Sequence, residues 1–130
     1  MKLLNGIINS PELPAALSGL MKREISVKQC VELSSMVEML NMQKSIIERT
    51  RMTIIEKHAM KKDDDNIVLQ EDGRTPAFPD EEAQIRCQEE VKELMAESFD
   101  IPLSSKIPVK EDDKMTLQDY NVLKDIIIIS

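Results

Sequence analysis

One long stretch without a helix breaker limits what this 130-residue chain can fold into. No glycine or proline occurs between Ser26 and Lys62. Ser26 followed by Gln29 has the form of a capping box, in which two side chains satisfy backbone N–H groups at the start of a helix. We therefore predict one helix over 26–62, about ten turns long at 3.6 residues per turn, in a mainly α single domain, 1–130.

Apolar residues recur along this helix in steps of three and four, which is the spacing of a heptad seam. The seam consists of Cys30, Leu33, Val37, Leu40, Lys44, Ile47, Arg51, Ile54 and His58. Further methionine and isoleucine side chains widen it, so the helix offers apolar surface to more than one neighbour. With nine Met, no Trp, one Tyr and two Phe, the core has to be aliphatic, and Met specifies packing geometry weakly.

Start and stop signals divide the rest of the chain into shorter elements. Ser10 is a good N-cap, and Pro11 is a good first residue, for a short helix over 11–22. After the long helix, a loop over 63–79 leads to an acidic helix over 80–98. Its apolar positions are Ala83, Cys87, Val91, Leu94 and Met95.

The last part of the chain, 99–130, combines extended segments with a short helix. Each proline at 102 and 108 disfavours helix at the residue before it, and Thr116 caps a final helix that ends near Asp125. The runs Ile67–Leu69 and Ile126–Ile129 predict minor β segments near the loop and at the C-terminus. The sequence leaves open whether the second run pairs within the chain or between chains.

Charge is distributed unevenly along the sequence. The net charge is −7, with +4 on residues 1–62 and −11 on residues 63–130. An exposed ion pair contributes only about 0–1 kcal/mol, but many pairs together favour one orientation over like-charged alternatives. We expect a helical hairpin in which the acidic helix lies antiparallel on the second half of the long helix and the short first helix covers the first half.

The histidine, aspartate and glutamate residues of the chain do not form a known catalytic or metal-binding motif. His58, the only histidine, has no serine or cysteine at a spacing that suggests a triad. The run Asp63–Asp65 fails the EF-hand pattern because isoleucine and valine occupy its fifth and sixth positions. The carboxylates of Glu89, Glu90 and Glu93 lack a Glu-x-x-His motif. We expect no catalytic residue, no cofactor, no metal site and no small-molecule substrate, so the chain is not expected to be an enzyme.

Composition also disfavours several partners and compartments. An acidic chain is a poor ligand for nucleic acid and for anionic membranes, and the run Ile126–Ile129 is too short to span a bilayer. The apolar start at residues 1–8 is broken before it reaches the length of a signal-peptide core. Cys30 and Cys87 are too few for a disulfide framework, and the hairpin separates them. A cytoplasmic location is expected.

Several stretches together resemble a family of small uncharacterised tailed-bacteriophage proteins. The matching stretches are Lys57–Gly73, with its acidic loop before Gly73, Glu89–Leu103, with its Ile-Pro segment, and Thr116–Leu123. The resemblance covers most of the chain, and the family carries no assigned catalytic residues. It implies a bacterial host cytoplasm or a virion, and a role in binding or assembly.

These observations favour a non-enzymatic protein-interaction or assembly protein, such as an adaptor, a chaperone-like factor or a structural component. It would bind a protein partner or form a homo-oligomer through the apolar residues of the long helix that its short neighbours leave uncovered. The predicted partner-binding residues are Met36, Met39, Leu40, Met42, Ile46 and Ile47. Plain core packing is the competing interpretation of the same methionines. The alternative function is an acidic regulator or inhibitor of the anti-defence type, whose exposed glutamates bind a basic nucleic-acid-binding surface.

Overall fold

The computed structural model describes residues 1–129, and the fold is mainly α with four short strands. The elements in chain order are β1 (Lys2–Leu4), α1 (Asn5–Ile8), α2 (Leu13–Met21), α3 (Val27–His58), α4 (Glu81–Ala96), β2 (Ser98–Asp100), β3 (Ile107–Val109), α5 (Leu117–Leu123) and β4 (Ile127–Ile129). The predicted order of helices is confirmed. The structure adds an N-terminal strand and helix, β1 and α1, that were not predicted.

The long helix, α3, begins as predicted and ends four residues earlier than predicted. The Ser26 side chain accepts a hydrogen bond of 3.2 Å from the Gln29 backbone N–H, which is the expected cap. At the other end Ala59 is extended. The Met60 N–H donates to the Ala77 carbonyl at 2.8 Å instead of continuing the helix. Residues 60–62 thus join the loop, where Lys61 forms an isolated β-bridge with Ile67.

One side of α3 carries the main hydrophobic core. Leu33, Met36, Leu40 and Ile47 are each no more than 5% exposed. They belong to one buried cluster with side chains of α2, α4, β3, α5 and β4. A smaller cluster joins Ile55, Ala59 and Cys87 near the loop end of the helix pair.

The helix pair α3 and α4 is antiparallel, as the charge pattern predicted. The Asp80 side chain caps α4 by accepting a hydrogen bond from the Ala83 N–H at 2.7 Å. Cys87 in the first half of α4 packs with Ile55, and Leu94 near its end lies beside Ile47. The short helix α2 packs mainly against α5 and shares a groove with α3 near its middle, so it does not cover the first half of α3 as predicted.

The N-terminal segment is fixed between α3 and α4. Strand β1 pairs antiparallel with β2, with Leu3 opposite Phe99. At the start of α1, Asn5 is 3% exposed; its Nδ2 donates to the Leu94 carbonyl at 2.9 Å and its Oδ1 accepts from Gln43 Nε2 at 3.1 Å. A Cβ on Gly6 would approach the Met95 carbonyl oxygen at 3.3 Å, so this close approach favours glycine.

The C-terminal segment closes back on itself within one chain. Strand β4 pairs parallel with β3, Ile127 lying opposite Ile107 and Ile129 opposite Val109. A parallel pair needs a connection of a dozen or more residues, usually containing a helix, and α5 lies in this connection. The open question of where the terminal isoleucine run pairs is answered: it pairs within the chain.

We predict that Ile47→Ala destabilises the fold by about 2–5 kcal/mol, the usual cost of removing a fully buried aliphatic side chain. Its neighbour Ile46 is the matched control, because Ile46 is 44% exposed whereas Ile47 is 0% exposed. Ile46→Ala should lower the free energy of unfolding of the monomer by less than about 1 kcal/mol. Urea denaturation followed by circular dichroism measures both, and equal losses would contradict the assignment of the inner side of α3.

Candidate functional site

The side of α3 opposite its buried residues forms a continuous surface that we name the outer face. Its residues follow one another in steps of three or four, apart from one adjacent pair, so they lie along one side of the helix. The outer face consists of Val31, Ser35, Glu38, Met39, Met42, Ile46, Arg49 and Thr53. Val31 is 64% exposed, Met42 68% and Ile46 44%.

The structure divides the six residues that the sequence predicted for partner binding. Met36 and Ile47 are 0% exposed and Leu40 is 5% exposed, so these three are core residues of the same chain. The predicted six-residue surface is therefore corrected. Its other members, Met39, Met42 and Ile46, lie on the outer face, with Met39 half-buried.

Val31, Glu38 and Arg49 belong to the outer face but were absent from the predicted surface. The signal was present in the sequence as a second series at three-and-four spacing, offset from the seam. The seam prediction also assigned Cys30 to the buried side, whereas Cys30 is exposed and Gln29 is buried. Gln29 is 9% exposed, and its Nε2 donates to the Lys106 carbonyl at 3.2 Å.

Opposite charges flank the apolar centre of the outer face. Glu38 precedes Met39 and Arg49 follows Ile46 by three residues, and both side chains are exposed. Neither forms an ion pair with any residue among 1–129. These two charges are therefore available to a molecule that covers the face.

Fewer ion pairs join α3 and α4 than the charge pattern of the sequence predicted. Glu90 is the carboxylate of α4 that reaches α3: its Oε1 accepts from Lys57 Nζ at 2.9 Å, and its Oε2 lies 2.9 Å from His58 Nε2. The hydrogen bond from Lys57, followed by that of His58, lowers the pKa of the Glu90 carboxyl group. His58 is thus a contact of the helix pair.

The other glutamates predicted for the acidic surface are exposed on α4 or directly after it. They are Glu81, Glu82, Glu89, Glu93 and Glu97. Glu82 pairs with Arg86 on its own helix. Among residues 1–129 no ion pair joins any of these five to α3. The array is therefore open to solvent.

A groove lies between α2 and α3, with Ile8 of α1 also in its wall. It has a volume of about 230 Å³ and its walls are mostly apolar, with Leu13, Leu17 and Val37 among them. Leu40 closes its floor and Lys44 stands at its rim. The volume is below the roughly 300–1,000 Å³ typical of sites for small molecules.

The aspartate run after α3 forms a turn. Asp64 accepts hydrogen bonds from the backbone N–H and the side-chain amide of Asn66, at 3.2 and 2.9 Å. Asp65 takes a left-handed conformation with φ of 65°. Within residues 1–129 no group of three or more His, Cys, Asp or Glu side chains is arranged to hold a metal ion. Over the same range no helix combines the length and apolarity needed to cross a bilayer.

Comparison of the chain with protein-family models, with curated proteins and with solved structures finds no match.

We predict that Glu90→Gln destabilises the protein at neutral pH and that the difference from wild type disappears in acid. The folded-state pKa of Glu90 is lowered. Its contribution is therefore complete above the ordinary carboxyl pKa and is lost as pH falls through the folded value. Urea midpoints at a series of pH values measure the difference. Glu89→Gln is the matched control, since Glu89 is exposed; a pH-dependent difference as large for this variant would refute the assignment.

Proposed function

We propose that this chain is a non-enzymatic protein-interaction or assembly protein that binds its partner through the outer face of α3. The observation that carries the proposal is the row of Met39, Met42 and Ile46 on the side of α3 away from the core, where Met42 is 68% and Ile46 44% exposed. Isolated exposed apolar residues are normal, but a contiguous row of them is typical of an interaction surface.

The free energy available from burying these side chains is that of a moderately tight contact. Complete burial of a Val, Ile or Met side chain contributes roughly 1.5–3 kcal/mol relative to full exposure. The exposed fractions of Val31, Met42 and Ile46, 64%, 68% and 44%, leave more than half of that gain available on average. Methionine supports such a surface because its unbranched side chain adapts to the partner.

The biological setting follows from the resemblance to tailed-bacteriophage proteins and stays a prediction. Under it, the protein would act in a bacterial host cytoplasm or in a virion, as an adaptor, a chaperone-like factor or a structural component. A single long helix with one free face suits each of these roles, since each depends on binding.

We predict that Met39→Asp combined with Ile46→Asp abolishes partner binding or lowers the native mass. The reason is that a carboxylate on the apolar centre of a closed interface loses its water without gaining a partner. Light scattering after gel filtration measures the mass, and capture from a lysate of the source measures binding. Ser34→Asp with Asn41→Asp is the matched control, because it adds two aspartates to exposed positions of α3 outside the outer face. Unchanged binding and mass in the first variant would refute the proposal.

A second candidate is the acidic regulator, and the exposed glutamates of α4 favour it. Glu89, Glu93 and Glu97 stand on neighbouring turns and make no ion pair within residues 1–129. Such an array would attract a basic surface by long-range attraction that salt screens within about 10 Å at 0.1 M ionic strength. Binding that is lost in salt and that Met39→Asp with Ile46→Asp leaves intact would replace the first candidate with this one.

A further inference from the structure

We infer that the occupant of the outer face is a second copy of this chain, packed antiparallel so that Met42 of each copy contacts Ile46 of the other. The inference rests on the proposed function, because it uses the same surface, and it specifies the partner. The argument comes from the spacing of the exposed residues and from the signs of the two charges that flank them.

The spacing of the outer face fits a two-helix seam. Ser35, Met42 and Arg49 are seven residues apart, as are Met39, Ile46 and Thr53, and the two series interleave in steps of four and three. In an antiparallel pair of heptad helices, each residue of one series faces a residue of the other series. Two such helices form six layers. In each of the two central layers, Met42 of one copy faces Ile46 of the other.

The next layers are formed by Met39 and Arg49, and the outermost by Ser35 and Thr53. The methylene stem of Arg49 covers Met39 of the second copy, while its guanidinium extends to the edge of the seam, as arginine side chains do on apolar surfaces. At that edge it meets Glu38 of the second copy. The two-fold symmetry forms this pair twice.

The charges select the antiparallel orientation. Glu38 and Arg49 lie on the same edge of the outer face, eleven residues apart. A parallel pair in register would bring Arg49 against Arg49 within one layer and would place the two glutamates on opposite edges of the seam, and like charges in contact are destabilising. The antiparallel pair brings each glutamate against an arginine. Both side chains are exposed and make no ion pair within residues 1–129, so neither has to leave a partner in its own chain.

The size of the interface predicts a dimer that dissociates on dilution. The outer face runs from Val31 to Thr53, about 33 Å of helix at 1.5 Å per residue. Six apolar side chains, Met39, Met42 and Ile46 from each copy, occupy the four central layers, and Ser35 and Thr53 form the outermost layers. Such an interface belongs with the small, reversible class of protein contacts.

A charge-exchange experiment on the full chain tests this arrangement. Sedimentation equilibrium gives the dimer dissociation constant of the wild type, expected at twice the 14.8 kDa of one chain when concentrated. Glu38→Arg and Arg49→Glu should each weaken dimerisation about tenfold, and the double variant should restore it. Residues 38 and 49 are about 16 Å apart along one helix, so rescue requires contact between copies. Ser34→Glu, at an exposed position of α3 outside the outer face, should change nothing.

Disulfide trapping tests the orientation. In a Cys30→Ser background, a mixture of Ser35→Cys and Thr53→Cys chains should give the mixed disulfide in preference to either homodimer. A preferred Ser35→Cys homodimer, or a double charge variant that is no tighter than the singles, would overturn the antiparallel pair.

The two proposals fail separately. A wild-type chain that stays at 14.8 kDa at every concentration refutes the second copy as occupant. If Met39→Asp with Ile46→Asp still removes a captured partner, the proposed function stands with a different occupant. If that variant changes neither mass nor capture, the proposed function also falls.

Discussion

The rest of the structure depends on burial of the inner side of α3. Leu33, Met36 and Ile47 are at most 1% exposed, and side chains from both ends of the chain close over them. Each fully buried aliphatic residue of this kind is worth several times an exposed ion pair. The short elements are too small to be stable alone, since an isolated helix below about 12–15 residues is marginal in water. They therefore form because α3 offers them a surface.

The helices could be predicted because their start signals are local. Which side of each helix is buried could not be predicted, because it depends on long-range packing. The predicted caps of α3 and α5 were correct because Ser26 and Thr116 act on backbone within a few residues. The predicted Ser10 cap was wrong, since α2 begins at Leu13 with Glu12 at its N-cap. The burial of a given methionine depends instead on segments that are distant in the sequence. Met36 and Met39 have similar sequence surroundings, because α3 carries apolar residues at heptad spacing on two sides. Long-range packing of other segments decides between them.

Two buried polar side chains show how those segments are held. Asn5 binds the Leu94 carbonyl and Gln43, and Gln29 binds the Lys106 carbonyl, so each links a terminal part of the chain to the helix pair. Buried polar groups favour the one arrangement that satisfies them. Asparagine at position 5 and glutamine at position 29 carry no local signal of this role. This is why residues 1–8 were left without structure and why the outer face could be defined only from coordinates.

The charge pattern predicted the correct helix orientation, although few of the predicted contacts form. Within residues 1–129, Glu90 is the one residue of α4 that forms ion pairs with α3, through Lys57 and His58. An exposed ion pair contributes about 0–1 kcal/mol, too little to direct packing against the burial of Ile47. Most charges therefore stay in solvent, where their effect is on what approaches the molecule. On the outer face, Glu38 and Arg49 are two such charges. Neither forms an ion pair within residues 1–129, so their positions along α3 can favour one orientation of a partner helix over the other.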